Sequence, residues 1–179
     1  GVVNNYYDAG LDRLVDLCYI GTMVEGSKPR KLVQAAAAYF RFLCKLPGYG
    51  IVHVNMASDS SYYRKSFFVR TAKFFGRKVV IHQHGGDFQG FYENELSHRG
   101  RQSVKRVLSM GDAFLVLGHA WKDFFGTIID GDRITVLPDA IRIPAWEEKN
   151  YGVHKILFLG RLCRAKGIGE LLGVVPELK

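Results

Sequence analysis

Residues 78–88, KVVIHQHGGDF, put two histidines, two glycines and an aspartate directly behind a short apolar run. Three kinds of arrangement fit those residue types. His82 and His84 stand two apart, a spacing that strand-borne metal ligands use, and Asp87 follows closely. A zinc site needs at least three protein ligands, and His53, His98, His119 and His154 stand in no companion motif. That weighs against metal. Alternatively, Gly85 and Gly86 lack side chains and let a sugar or phosphate approach the backbone, with imidazole beside it as a hydrogen-bonding group. Thirdly, the glycines make a tight turn and nothing more. Side chains alternate along a strand, so His82 shares a face with Val80 and is expected to be a core imidazole or a support for its neighbour. His84 falls past the strand end and is the functional candidate.

A second constellation is GRLCRAK, residues 160–166. Arg161 and Lys166 flank a loop that follows an apolar run, and Gly167 opens a helix. Backbone N–H groups at that helix start, with the two cations, would suit a diphosphate; Arg164 between them is expected to face water. A third stretch, SSYYRKSFFVRTAKFFGRK (60–78), interleaves aromatics with six cations. Phe67, Phe68, Ala72 and Phe75 recur at helical spacing, which places them in a core and not on the sheet or barrel that stacks single-stranded nucleic acid. Nucleic acid is therefore not an expected partner. The cations, Arg64 and Lys65 first among them, are expected to meet an acceptor, another anion or an anionic membrane.

The elements that must position these groups alternate. Strands are expected at Leu14–Ile20, Ile51–Asn55, Lys78–His82, Ala113–Leu117, Ile134–Leu137 and Lys155–Leu159. Helices are expected from a Ser27 N-cap, with Pro29 in the first turn, to Lys45; from Ser61 to Phe75; from Gly100 to Met110; from Ala120 to Ile129; and from about Gly167. Such alternation specifies an α/β fold, a Rossmann-like parallel sheet with helices on both faces. Ligands of open sheets of this kind bind beyond the carboxyl ends of the strands, which is where His84 falls.

The chain has 179 residues and a net charge of +8, with 47% hydrophobic and 23% charged residues, a composition suited to a packed domain. Between Lys28 and Arg106 lie 15 Lys/Arg against 4 Asp/Glu. The rest is slightly acidic, so the basic half points to an anionic partner or to a solvated helix surface. Three scattered cysteines, Cys18, Cys44 and Cys163, have no ligand spacing and suggest a reducing, cytoplasmic setting. No signal peptide and no run of about 20 apolar residues is visible.

The ordered segments IVHVNMASDSSYYRKS, VIHQHGGDF, DAFLVLGHAWKDFF, ITVLPDAI and ILFLGRLCRAKGIGELL resemble those of family 4 glycosyltransferases, retaining enzymes of the GT-B fold. The resemblance spans Ile51 to Leu172. It implies an N-terminal acceptor-side domain over 1–140 lacking its first strand, a linker over 141–152, and a truncated donor-binding domain over 153–179. It implies that Arg161 and Lys166 hold the donor diphosphate and that His84 touches the donor sugar in a cleft floored by Gly85 and Gly86. Pro138-Asp139 stands where the family usually shows Pro-Asn. The implied reaction moves a sugar from a nucleotide-diphosphate sugar to a glycan or lipid-linked acceptor in bacterial surface-polysaccharide assembly. It needs no metal or other cofactor, and it would proceed in the cytoplasm or at the inner membrane face. The fragment by itself is expected to be inactive. The alternatives are a metal-dependent hydrolase built on His82, His84 and Asp87, and a non-catalytic basic binding module.

Overall fold

The structure is a computed structural model, and it describes residues 2–85, 87–139, 156–160, 162 and 164–177. The chain divides into two units, Gly1–Ile141 and Arg142–Lys179. In the first unit a short helix α1 (Val2–Asp8) and a turn of helix α2 (Leu11–Leu14) lead to the long helix α3 (Lys28–Lys45). Four strands follow: β1 (Ile51–Met56), β2 (Lys78–Gln83), β3 (Ala113–Val116) and β4 (Ile134–Val136). Between them run α4 (Asp59–Phe74), the paired segment α5 (Phe88–Gly90) with a π turn (Phe91–Glu95), α6 (His98–Leu108) and α7 (His119–Gly126).

All strand pairs are parallel, in the order β1-β2-β3-β4. Strands that pair in chain order through right-handed crossovers send every crossover helix to the same side. Accordingly Val54, Met56, Val79, Ile81, Phe114 and Ile134 bury one face of the sheet in a single cluster with residues of α4, α6 and α7. The opposite face is thinner. Ile51 on it is 64% exposed, and α1 covers its carboxyl end, where Tyr6 meets His53 with ring centroids 5.8 Å apart. The fold is thus α/β, a parallel sheet flanked by helices as expected, but its two faces are unequally covered.

At the amino end of the sheet Asp112 gathers three donors. Its carboxylate accepts from Lys73 Nζ at 2.9 Å, Lys78 Nζ at 3.1 Å and the backbone N–H of Val79 at 2.8 Å. These bonds tie the end of α4 and the start of β2 to the turn before β3.

Several expectations need correction. Leu14–Ile20 is not a strand: Leu14 ends α2, and residues 15–20 have no regular structure. Among the described residues no strand runs beside it to complete its backbone hydrogen bonds. The helical segment after Gly85 was not legible as such. Asp87 nucleates it by accepting from the N–H of Gly90 at 2.8 Å, and Phe88 and Phe91 anchor it in the core. Helix α7 stops at Gly126, three residues early, because the N–H groups of Thr127 and Ile128 turn back to Phe124 and Phe125.

In the second unit, described by itself, residues 156–159 form no strand, and Leu157 and Leu159 are 86% and 93% exposed. A strand without a neighbour has no ladder to join. Helix α8 (Ile168–Val174) begins after Gly167, φ +75°, and buries no residue. No helix among the described residues is long and apolar enough to cross a membrane.

Candidate functional site

β1 and β2 build the site together. Their register sets Asn55 beside His82, and the N–H of His84 extends the ladder by donating to the carbonyl of Met56 at 2.7 Å. Alternation then points Asn55, His82 and His84 to the same face at the carboxyl end of the sheet. His82 is 1% exposed, as expected of a core imidazole. Its ring lies nearly parallel to that of His53, 5.5 Å away at 12°, and 3.8 Å from the ring of His84. The Tyr6 hydroxyl reaches His82 Nδ1 at 3.3 Å, and His82 Nε2 has no partner.

His84 is held from two sides. Its Nε2 lies 3.1 Å from Asn55 Oδ1, and its Nδ1 lies 3.6 Å from Asp139 Oδ1, beyond hydrogen-bond length. Its side chain is 17% exposed and that of Asp139 is 41% exposed. Lys65 donates to the carbonyl of Asn55, so its ammonium stands at this strand end. Arg64 turns elsewhere, with Nε 3.4 Å from Thr22 Oγ1 and Nη1 3.5 Å from the carbonyl of Ser60. Gly85 has φ +53°, a backbone that side-chain-bearing residues rarely adopt, and a methyl built on it would meet nothing within 4 Å. That glycine is therefore needed for the turn, and open space lies in front of it. The start of α4 is also strained: Asp59, its first residue, has φ +56°, and Ser58 Oγ donates to its carboxylate at 2.5 Å.

The electrostatics follow from burial. Burial first, then His84 and His53, push His82 down to about 4 against a partial pull from Asp139. His53 is lowered by burial and by His84. His84 is lowered by burial and by Lys65, with Asp139 pulling the other way. Lys65 itself is pushed down to about 8 by burial and by Arg64. At neutral pH the site is thus a stack of neutral imidazoles beside a lysine whose charge is weakened, a perturbation typical of sites that do chemistry.

Of the residues singled out from sequence, His82, His84, Gly85 and Lys65 meet at one strand end. Asp87 does not join them, because its carboxylate caps the segment at Gly90. The group able to ligate a metal is instead His82, His84 and Asp139, whose ligand atoms lie within 4.8 Å of one another. Lys166 is exposed in a 3-10 turn of the second unit; Arg161 and Gly86 lie outside the described residues. Asn55 and Tyr6 were not among the sequence candidates, His53 was weighed only as a further metal ligand, and Asp139 was noted only as a departure from the family's Pro-Asn. The alternation in IVHVNM, which sets Asn55 on the face of His53, was the one signal for Asn55.

No protein-family model matches this chain, and no curated protein and no solved structure matches it either.

Proposed function

We propose that this chain belongs to a retaining glycosyltransferase that takes a sugar from a nucleotide-diphosphate donor. The supporting observation is His84, a neutral imidazole at the carboxyl end of a parallel strand, held by Asn55 and followed by Gly85, in front of which lies open space. With its proton affinity lowered by burial, the ring positions a sugar hydroxyl by hydrogen bonding without taking its proton. In a retaining reaction of this kind the departing phosphate oxygen accepts the acceptor's proton while the bond to the anomeric carbon breaks, so no carboxylate pair is needed. On this reading the developing charge on the diphosphate falls to the cations Lys166 and Arg161. Asp139, at 3.6 Å and partly exposed, is the partner that a sugar hydroxyl displaces at His84.

The test is transfer from a panel of nucleotide-diphosphate sugars by the intact protein. Lys166→Ala lowers turnover on the order of 10²–10³-fold; unchanged turnover refutes the reading.

One observation favours a second reading. His82 Nε2 and His84 Nδ1 are buried without hydrogen-bond partners, and Asp139 completes a set of three ligands. Two neutral nitrogens and a carboxylate suit zinc with a fourth position open to water, and a phenol on the far nitrogen of His82 would orient that ring. Stoichiometric zinc in elemental analysis of purified protein, lost in His82→Ala, decides for this centre and against metal-free transfer.

A further inference from the structure

The outward faces of α3 and α4 are apolar where water would ordinarily select polar residues. On α3, Ala38 and Phe42 are buried, yet Leu32, Val33 and Phe40 are 72%, 69% and 69% exposed. On α4, Phe67 and Phe74 are 63% and 85% exposed, and Phe75 just past its end is 54% exposed. Val33 and Phe40 are two helical turns apart, as are Phe67 and Phe74, so each pair forms a stripe along one face. The helices are neighbours: Tyr39 Oη lies 2.6 Å from Thr71 Oγ1, and the rings of Phe42 and Phe68 are 5.0 Å apart. A shallow groove of about 400 Å³, lined by Tyr39 and Leu43 on one side and by Arg70, Thr71, Phe74 and Phe75 on the other, joins the stripes.

Cations border this surface. α3 carries five Lys/Arg and no acid, and α4 carries four with a single acid, Asp59, at its first residue. Among the described residues, Arg41, Lys45 and Arg70 enter no ion pair. On the helical wheel of α3, Arg41 follows the apolar arc at its edge while Lys45 lies further round towards the buried Ala38, and along α4 Arg70 falls between Phe67 and Phe74.

A second copy of the chain would match the apolar stripes but would set cations against cations. An anionic lipid surface matches both features: rings and aliphatic groups enter the headgroup layer while Arg and Lys meet lipid phosphates. We propose that α3 and α4 dock this protein onto an anionic membrane surface through Leu32, Val33, Phe40, Phe67, Phe74 and Phe75. The surface is distinct from the His84 group, and the proposal stands apart from the sugar-transfer reading.

Co-sedimentation with phosphatidylcholine vesicles, with and without phosphatidylglycerol, tests it. Binding is expected only with phosphatidylglycerol present, weakening as salt is added. Arg41→Glu with Arg70→Glu lowers partitioning by at least about five-fold per cation removed. Phe67→Ser with Phe74→Ser lowers it by on the order of ten-fold or more. These side chains are exposed, and far-UV circular dichroism checks that both variants fold; if one fails, the other still decides. Equal binding to neutral vesicles, no binding to either, or wild-type partitioning by a folded variant overturns the proposal. So does a dimer in analytical ultracentrifugation that Phe67→Ser with Phe74→Ser dissociates.

Discussion

The two ends of one sheet handle buried polarity in opposite ways. At the amino end, Asp112 takes bonds from two lysines and a backbone N–H, and those donors hold its carboxyl well below the usual carboxylate range. At the carboxyl end, His82 Nε2, His84 Nδ1 and Gln83 Oε1 are buried with no hydrogen-bond partner, and burial pushes His53, His82 and His84 towards neutrality. Natural interiors satisfy nearly all buried polar groups. The amino end leaves one such atom, Arg77 Nε; the carboxyl end leaves three beside a strained Asp59, and so gives up more stability. The difference separates scaffold from site.

The strongest way to break this contrast is to separate activity from stability. If the protein transfers sugar as proposed, His84→Ala lowers that transfer on the order of 10²–10³-fold, with little change in thermal midpoint. A variant that melts early and transfers normally would make His84 part of the scaffold.

The pH dependence sharpens it further, because the two ends titrate in different windows. Unfolded His82 binds its proton near 6.5 and folded His82 near 4. Between those values the unfolded state holds the extra proton, so stability is full above about 6.5 and falls as pH drops towards 4. The loss is on the order of 3 kcal/mol and levels off below that range. His53 and His84 shift in the same direction and add to it. Urea midpoints measured across this range should slope, and His82→Leu should flatten much of the slope. A flat wild-type profile would mean that the imidazoles are not buried neutral. The Asp112 contribution has the opposite chemistry but the same sign: its lowered value keeps stability above the unfolded value of 3.8 and loses it only at lower pH.

Asp112→Asn is the matching change at the amino end. It removes the charge that holds Lys73 and Lys78, and about 1–3 kcal/mol of unfolding free energy is expected to go with it. Chemical denaturation measures the loss. The slope between pH 6.5 and 4 should survive, since no histidine among the described residues lies at that end; if it vanishes, the two ends are coupled.

Much of the frame was legible in sequence. The apolar run Val79–Ile81 and the alternation after Ile51 marked β2 and β1, and Ser27 with Pro29 marked the start of α3. His84 was legible because it follows a strand and precedes glycines. Its neighbours were not. Asn55 reaches His84 only through the β1–β2 register, and Asp139 arrives after β4, so both contacts are long-range pairings that local patterns do not encode. Asp87 misled for the converse reason: an aspartate three residues before Gly90 is a cap as readily as a ligand. Leu14–Ile20 has strand composition without a strand beside it, and β-propensity describes fit to a sheet more than the backbone itself.

The smallest effect is the most diagnostic of how the site is wired. Asp139 is the group that raises His84, against burial and Lys65. Replacing it with the neutral amide in Asp139→Asn keeps the shape and removes that pull, so the His84 titration should move further down. Following the Cε1–H resonance of His84 by NMR reads this directly. At neutral pH the ring is uncharged with or without Asp139, so transfer should change little if His84 orients a sugar. An upward shift would place the carboxylate away from Nδ1. A large fall in turnover with the expected downward shift would give Asp139 a role of its own, as the metal-centred reading requires, and the variant therefore discriminates between the two chemistries that the same three side chains support.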